Sequence, residues 1–175
     1  MSDGRPEKDR YYLDIARAVA SRSPCLRVKY GAIIVKNDAI VSTGYNGPIR
    51  GGVNCYEVGC LKEILNLPHG RAYDYCPAVH AEENAIINAG RNGSSVLGGV
   101  LYLYGTNVKT GNVVKSVPCD RCKRAIINAG ITKVVMINED GSIDRVDVGE
   151  WIKLDTEKYL EMLREAEEEI SKGER

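Results

Sequence analysis

The sequence predicts an α/β fold in which a mixed β-sheet is covered by helices on both faces. Three observations favour this class: apolar residues recur at helical spacing near the amino terminus, two strand-like segments flank a short polar turn, and later strand-like segments alternate with helix-like ones. With 175 residues, 43% of them hydrophobic, the chain is predicted to form one compact domain over 1–175.

The composition excludes several classes of protein. No apolar run approaches the ~18 residues that a membrane helix needs, and the first residues lack the apolar stretch of a secretory signal. The 24 basic and 24 acidic side chains balance, whereas proteins that bind nucleic acid through its phosphates are usually basic. We therefore expect a cytoplasmic location, a small anionic ligand, and neither membrane nor nucleic acid as a partner.

The first part of the chain predicts a helix followed by a hairpin. Apolar residues at helical spacing indicate a helix over 8–21, which Pro24 ends. The apolar segments 32–35 and 39–43 flank a short polar turn, a pattern typical of a β-hairpin. The glycine-containing segment 44–48 then predicts a loop.

Residues 51–79 are predicted to form a cysteine-rich insertion. Their periodicity is poor, and they contain three of the six cysteines of the chain. Irregular chain of this length needs some additional link to hold it. Because no export signal is present, the cysteines are more typical of metal binding or chemistry than of disulfides.

The second half of the chain predicts alternating helices and strands. The first is a helix over 80–89 with Gly90 at its C′ position, followed by a strand over 100–104 and a hairpin-like insertion over 105–116. Pro118 then opens a second helix in its first turn, and Gly130 closes it. A strand over 133–137 and a C-terminal helix over 155–172, capped by Asp155, complete the chain.

Two of these predicted helix starts carry metal-binding side chains. His80 and Glu82 begin one helix, while Cys119 and Cys122 lie in the first turn of the other. Cysteines three apart face the same way, and the positive end of a helix favours thiolates, the form that binds metal. Buried thiols and a capping histidine are the alternative interpretation. The combined pattern favours a three-ligand catalytic zinc site, with Glu82 beside its open position.

With these motifs the sequence resembles the zinc-dependent cytidine and deoxycytidylate deaminases. The resemblance covers about 9–137 and includes the segments 31–35, 44–47, 51–55 and 80–86. The Gly-Tyr-Asn-Gly segment is the part that points to the deoxycytidylate (dCMP) branch. The resemblance implies a three-layer α/β/α sandwich with a mixed central sheet and the hydrolytic deamination of dCMP to dUMP and ammonia.

The resemblance also implies how the reaction proceeds. Zinc would lower the pKa of a water molecule toward neutrality, and that water would add to C4 of the cytosine ring. Glu82 would carry protons from the water to ring nitrogen N3 and to the departing ammonia. Two alternatives stay open: deamination of another cytosine-type substrate (dCTP, cytidine or a tRNA base), and a nucleotide sensor that has lost catalysis.

Substrate contacts follow from the same resemblance. Asn46 is expected to bind the deoxyribose hydroxyl, although a left-handed turn conformation would equally explain an asparagine there. Ala81 is expected to contact the substrate. Arg91 is expected to hold the phosphate, unless it only complements the end of its helix. Lys29 and Arg27 are the alternative phosphate partners.

Four cysteines lie outside the predicted catalytic zinc site: Cys25, Cys55, Cys60 and Cys76. Some dCMP deaminases carry a second, structural zinc on ligands that match the first two. A closed four-thiolate tetrahedron is a standard structural zinc site and would hold the insertion together. Inert buried thiols are the alternative, and His69 is the reserve ligand.

Assembly and regulation are further expectations from the resemblance. Relatives are often hexamers, so a homo-oligomer is expected, with the hexamer favoured. Some relatives are also switched by dCTP and dTTP, which are the expected effectors. The chain before Pro118 is longer than in these relatives. That insertion leaves open which cytosine-type substrate the site accepts.

Overall fold

A computed structural model describes residues 4–68 and 72–173 of the chain. The strands are β1 (Val28–Lys36), β2 (Ala39–Tyr45), β3 (Gly47–Pro48), β4 (Ala78–Val79), β5 (Val100–Asn107), β6 (Lys133–Ile137) and β7 (Ile143–Asp147). The α-helices are α1 (Lys8–Ala20), α2 (Cys55–Val58), α3 (Leu61–Ile64), α4 (Ala81–Arg91), α5 (Asp120–Asn128) and α6 (Val148–Ser171), and a 3-10 helix spans Tyr73–Tyr75. None of the helices in this part of the chain has both the length and the apolar character needed to cross a membrane.

Five strands form one mixed sheet in the order β2-β1-β5-β6-β7. Strand β1 runs antiparallel to both β2 and β5, β5 runs parallel to β6, and β7 runs antiparallel to β6. Strands β3 and β4 form a separate two-stranded pair. The mixed sheet confirms the predicted α/β class.

Side chains alternate between the two faces of the sheet, as strand geometry requires. On β1, Ile33 and Val35 pack with Leu13 and Ala16 of α1 in one core cluster. Ala32 and Ile34 point to the other face, where the core includes Ala85 of α4. Helix α5 contributes to this second core as well. The molecule therefore has the three layers that the family resemblance implies.

The predicted first helix and hairpin are confirmed. Between β1 and β2 the turn residues Asn37 and Asp38 have φ values of 51° and 62°, and two successive positive φ values are typical of tight hairpin turns. Two boundaries were wrong, because β1 begins at Val28 instead of at residue 32 and β2 continues through Gly44 and Tyr45 instead of ending before them. Those residues pair with Ala32 and Gly31 of β1.

The ends of the two site helices differ from the prediction. Gly90 lies inside α4, which continues to Arg91, and the left-handed residue that follows the helix is Gly93 with φ 70°. Pro118 precedes α5 instead of occupying its first turn, because Cys119 is the extended N-cap residue. Gly130 follows α5 with φ 73°, as predicted.

The C-terminal part contains a strand that the sequence analysis did not predict and a longer helix than expected. Strand β7 forms the sheet edge beside β6. The Asp147 side chain accepts a hydrogen bond from the Gly149 backbone N–H at 2.8 Å and caps α6. Helix α6 therefore begins well before Asp155, which lies within it, so the predicted cap and the boundary at 155 were wrong.

The predicted insertion over 51–79 lies beside the five-stranded sheet, whereas the first residues of the one predicted over 105–116 belong to it. The predicted strand end at 104 was wrong, because β5 continues to Asn107 and residues 105–107 pair with β1. Residues 51–68 and 72–79 contain only short helices and β4. After β5, the chain reverses and returns along the strand end, with the Val114 N–H donating to Gly105 O at 3.1 Å and the Asn107 N–H donating to Asn112 O at 2.9 Å. We call residues 107–115 the hairpin insertion.

Candidate active site

The first turns of α4 and α5 bring three metal-binding side chains together. His80 is the N-cap residue of α4, Cys119 is the N-cap residue of α5, and Cys122 lies in the first turn of α5. His80 Nδ1 lies 3.5 Å from the Cys119 sulfur and 3.3 Å from the Cys122 sulfur. The three ligand atoms all lie within 4.8 Å of one another. The metal-binding side chains of the two sequence motifs therefore form one cluster.

The chemistry of this donor set fits zinc. Tetrahedral coordination with a Zn–N bond of about 2.0 Å and a Zn–S bond of about 2.3 Å separates nitrogen from sulfur by about 3.5 Å. The observed separations of 3.3 and 3.5 Å are close to that value. Three protein ligands leave a fourth position for water or substrate, which is the arrangement of catalytic zinc sites.

A hydrogen bond between the two cysteines shifts their pKa values in opposite directions. A hydrogen bond from the Cys122 thiol lowers the pKa of Cys119 to about 3, and the bond to His80 lowers it further in the same direction. The same bond with Cys119, together with burial, raises the pKa of Cys122. Cys119 is therefore the more acidic of the two thiols, and both sulfurs would bind a metal ion as thiolates.

Glu82 lies next to this cluster and is the buried acid of the site. It is 5% exposed and lines the same cavity as His80 and Cys119. Burial raises the pKa of Glu82 to about 7. A carboxyl group with a pKa near the working pH can both accept and return a proton, which is the property of a general acid–base.

Helix α4 is held in place by its contacts with β2. The Asn84 amide donates to Tyr45 O and the Asn88 amide donates to Thr43 O, each at 2.8 Å. A Cβ atom on Gly44 would collide with the α4 backbone at Ala81 and Ala85. Glycine at position 44 therefore lets the start of α4, and with it the site, approach the sheet edge.

The two helix starts are linked by an ion pair that the sequence analysis did not identify. Arg121 of α5 donates to the Glu83 carboxylate of α4 at 2.8 Å. The same Glu83 oxygen accepts the His80 backbone N–H at 3.2 Å. A glutamate three residues after a helix cap often makes this contact, so the spacing of His80 and Glu83 contained the signal.

Two tyrosines of the site were also missed. The Tyr73 ring lies 5.4 Å from the His80 ring, measured between centroids. Tyr30 lines the cavity, and burial raises its pKa to about 12, so its hydroxyl stays protonated. Neither residue has a recognisable motif around it, because both reach the site only through tertiary packing.

The site opens into a cavity of about 750 Å³. One part of its wall is formed by His80, Ala81, Glu82 and Cys119. Other parts come from the start of β1, from the segment 51–79 and from the hairpin insertion. The cavity lies near the carboxyl end of β5, where ligand sites of α/β sheets are usually found.

Asn46 lines the cavity but has a structural role there. Its amide nitrogen donates to Val28 O at 2.9 Å, and its amide oxygen accepts from the Tyr30 N–H and the Ser23 hydroxyl, each at 2.7 Å. Its backbone is not left-handed, so the alternative interpretation of a positive-φ turn was wrong. Asn46 thus fixes the cavity wall to β1.

Arg91 and Lys29 were both expected to bind the phosphate, but neither is among the described residues that line the cavity. Lys29 lies on the opposite face of β1 from Val28 and Tyr30, because side chains alternate along a strand. Arg91 ends α4, roughly 15 Å along the helix from Ala81. Arg27, the remaining alternative, does line the cavity.

The structure brings the four remaining cysteines to one cavity but not to metal-binding distance. Cys25, Cys55, Cys60 and Cys76 all line it, and the other three thiols add to the burial that raises the pKa of Cys55. Among the described residues, no three of these four sulfur atoms lie within 4.8 Å of one another. His69 lies outside the described residues.

The site geometry agrees with the family to which the chain belongs. The family model for the cytidine and deoxycytidylate deaminase zinc-binding region matches residues 6–138. This range contains His80, Glu82, Cys119 and Cys122. The chain is a member of this family.

Particular relatives are deoxycytidylate deaminases. The chain is 36% identical to the deoxycytidylate deaminase of Mycobacterium phage D29 over 77% of this chain and 98% of that protein. It is 35% identical to the Schizosaccharomyces pombe enzyme over 75% of this chain but only 37% of that longer protein. The dCMP deaminase of cyanophage S-TIM5, crystallised with dCMP and dUMP, matches with TM-score 0.54 and 28% identity over 74% of this chain and 80% of that one.

Proposed function

We propose that this protein is a zinc-dependent deoxycytidylate deaminase that hydrolyses dCMP to dUMP and ammonia. The observation that carries the proposal is the buried carboxyl group of Glu82 beside the His80, Cys119 and Cys122 cluster. The phage relatives support dCMP as the substrate, since one matches along nearly its whole length and another was crystallised with dCMP.

The residues of the site have two different roles in the proposed reaction, metal binding and proton transfer. His80, Cys119 and Cys122 would hold zinc, which would supply a Lewis acid and lower the pKa of water toward 7. Glu82 accepts a proton from the attacking water and donates one to N3 of the ring. It then accepts the second proton, from the hydroxyl added at C4, and passes it to the amino group, so that the C4–N bond breaks, ammonia departs and a C4=O carbonyl remains.

The nucleoside part of the substrate lies between the cluster and the cavity wall. We assign Ala81, at the first position of α4, and Asn46, on the β1 side, to contacts with the base and the deoxyribose. Both line the cavity next to Glu82. Because Asn46 is anchored by β1, it offers a rigid contact to the sugar hydroxyl.

Ammonia release from dCMP by zinc-replete protein tests this function. Cytidine and dCTP are assayed alongside, together with the Glu82→Ala variant. We expect turnover of dCMP that disappears in the variant. Turnover of only cytidine or dCTP would overturn the substrate assignment, and zinc-containing protein that is inactive on all three would indicate a nucleotide sensor instead.

We also propose a second, structural zinc bound by the cysteines Cys25, Cys55, Cys60 and Cys76. Tetrahedral zinc thiolates are about 3.8 Å apart, so binding would draw the segment 51–79 toward residue 25. Metal analysis of the wild type should give two zinc ions per chain, and the Cys60→Ser variant should give one. Two zinc ions held with unchanged affinity in the variant would refute this assignment.

Self-association is part of the same proposal, with a hexamer as the expected form and dCTP and dTTP as the expected effectors. Its support is the apolar surface of residues 49–65, where Ile49 and Ile64 are 64% and 73% exposed. Light scattering with and without the nucleotides tests it. None of the six cysteines is in a disulfide, and six unbridged cysteines are typical of a reducing compartment such as the cytoplasm, which is the location we propose.

A further inference from the structure

Part of the cavity wall is basic. Arg27, Lys62 and Lys109 line both the main cavity and an adjoining hollow of about 440 Å³. We call these three cations the basic rim. Among the described residues, Glu63 is the one carboxylate that lines the hollow, whereas the main cavity is also lined by Glu82, Glu139 and Lys115. Three positive charges against one negative charge favour an anion in the hollow over a neutral group.

Each member of the basic rim is positioned by a defined contact. The Arg27 guanidinium donates to Leu67 O at 3.1 Å, which fixes it against the segment 51–79. Lys62 is 7% exposed, and its ammonium group lies 5.6 Å from the centre of the Tyr73 ring. Because the Tyr73 ring also lies 5.4 Å from the His80 ring, at an interplanar angle of 54°, Tyr73 links the buried part of the rim to the metal site.

The hairpin insertion places the third cation. The Val108 N–H donates to Arg27 O at 2.9 Å, so the next residue, Lys109, lies beside the start of β1. The Asn107 side chain accepts the Lys109 N–H at 2.9 Å and the Thr110 N–H at 3.1 Å, which fixes the turn. The Lys109 ammonium then pairs with Glu63 at 2.6 Å.

We propose that the basic rim binds the 5′-phosphate of the substrate and that Lys109, supplied by the hairpin insertion, selects nucleotide over nucleoside. This inference rests on the proposed function and extends it to the phosphate end of the same cavity. The phosphate is a dianion near neutral pH and attracts Lys109 more strongly than the single charge of Glu63 does. Lys109 therefore exchanges its Glu63 partner for the phosphate.

Two substitutions test the exchange in opposite directions. Lys109→Met should lower kcat/KM for dCMP at least tenfold, mainly through KM, and leave kcat/KM for deoxycytidine unchanged. Glu63→Gln should raise kcat/KM for dCMP severalfold, because it removes a competing and repelling charge. Lys8→Met is the matched control: Lys8 is 73% exposed and pairs with Asp38 at 2.7 Å, whereas Lys109 is 74% exposed.

Equal losses on dCMP and deoxycytidine in Lys109→Met would overturn the inference. So would a loss of dCMP activity in Glu63→Gln that matches the loss in Lys109→Met, because the pair would then be only a structural link. Circular dichroism and zinc content verify that each variant is folded.

Calorimetric binding of dUMP and deoxyuridine separates this inference from the proposed function. Wild-type protein should prefer dUMP, and Lys109→Met should lose most of that preference. Phosphate-dependent binding without any dCMP turnover would refute the proposed function and leave the basic rim assigned. Turnover of dCMP with equal affinity for dUMP and deoxyuridine would refute the basic rim alone.

Discussion

Glu82 and Glu83 are neighbouring carboxylates that the fold uses in different ways. Glu82 is 5% exposed and faces the cavity, where burial raises its pKa to about 7. Glu83, one residue later and about 100° around the helix, pairs with Arg121 and accepts the His80 N–H. One residue therefore moves protons, and the other fixes the two helix starts that hold the metal ligands.

Replacing Glu82 by glutamine separates metal binding from proton transfer. Glutamine keeps the shape of the side chain but cannot accept the proton of the water. We expect turnover of dCMP to fall by ~10³-fold, while zinc content stays that of the wild type. Steady-state kinetics and metal analysis on the same preparation check this. Activity within tenfold of wild type would show that another group is the general base.

The pair of Glu83 and Arg121 is expected to act on the metal through its ligands. Alanine at either position should weaken zinc binding by about 10- to 100-fold, the usual effect of removing a residue that orients a metal ligand. The double variant should be little worse than the Glu83 variant alone, because removing Glu83 already removes the partner of Arg121 as well as the acceptor of the His80 N–H. Competition with a chelator measures the affinities; fully additive losses would argue for independent roles.

Single residues could be predicted from the sequence where they belong to a motif. They could not be predicted where their role depends on the direction in which the side chain points. His80, Cys119 and Cys122 have fixed spacings on helix starts, so they could be placed together in advance. Arg27 and Lys29 are two residues apart, and the sequence does not show that β1 begins between them, at Val28. Arg27 reaches the cavity, whereas Lys29 faces away from it.

At the scale of elements, the position of α4 depends on how closely it approaches β2. Gly44 permits that approach because it has no Cβ atom. On the other face of the sheet, Gly31 permits a similar approach of the α1 backbone at Ala16 and Ala20. Each glycine lies where a helix crosses a strand. The first crossing supports the metal site, and the second supports only the core.

These two glycines form a matched pair of variants. Gly44→Ala and Gly31→Ala should each lower the free energy of unfolding by about 1–3 kcal/mol or more, because a Cβ atom collides with helix backbone. Only Gly44→Ala should also weaken zinc binding and lower turnover. Denaturant unfolding and zinc competition measure the two effects. Equal loss of zinc affinity in both variants would show that α4 is not positioned by Gly44.

The elements that sequence reasoning missed have weak local patterns. Strand β7 has the sequence Ile-Asp-Arg-Val-Asp at the sheet edge, and its mainly polar composition resembles a loop. The start of α6 contains Gly149, a poor helix former, so Asp155 resembled the natural cap. The elements with strong signals, α1 and the β1–β2 hairpin, had clear periodicity and were predicted correctly apart from the bounds of the two strands.

At the scale of the whole molecule, the family region and the rest of the chain have different roles. Residues 6–138 contain the metal cluster, Glu82 and the basic rim. Strand β7 and helix α6 follow this region. Val148 is buried and Trp151 packs against the core, but Tyr159, Met162 and Ile170 further along α6 are mainly exposed.

Truncation after Leu154 tests whether the rest of α6 matters for the site. The removed side chains are mainly exposed, whereas Val148 and Trp151 remain. We expect zinc content and dCMP kinetics like those of the full chain and a midpoint of thermal unfolding within a few degrees of it. Loss of the catalytic zinc in the truncated protein would contradict this separation of roles.

The most direct test of the central claim is the conversion of dCMP in heavy-oxygen water, followed by mass spectrometry of the nucleotide. Zinc-replete wild-type protein should form dUMP that carries the heavy oxygen at C4, with one ammonia released per dUMP, and Glu82→Gln should form almost none. Recovery of unchanged dCMP from wild-type protein whose His80, Cys119 and Cys122 site holds zinc would contradict the assignment of this site to dCMP deamination.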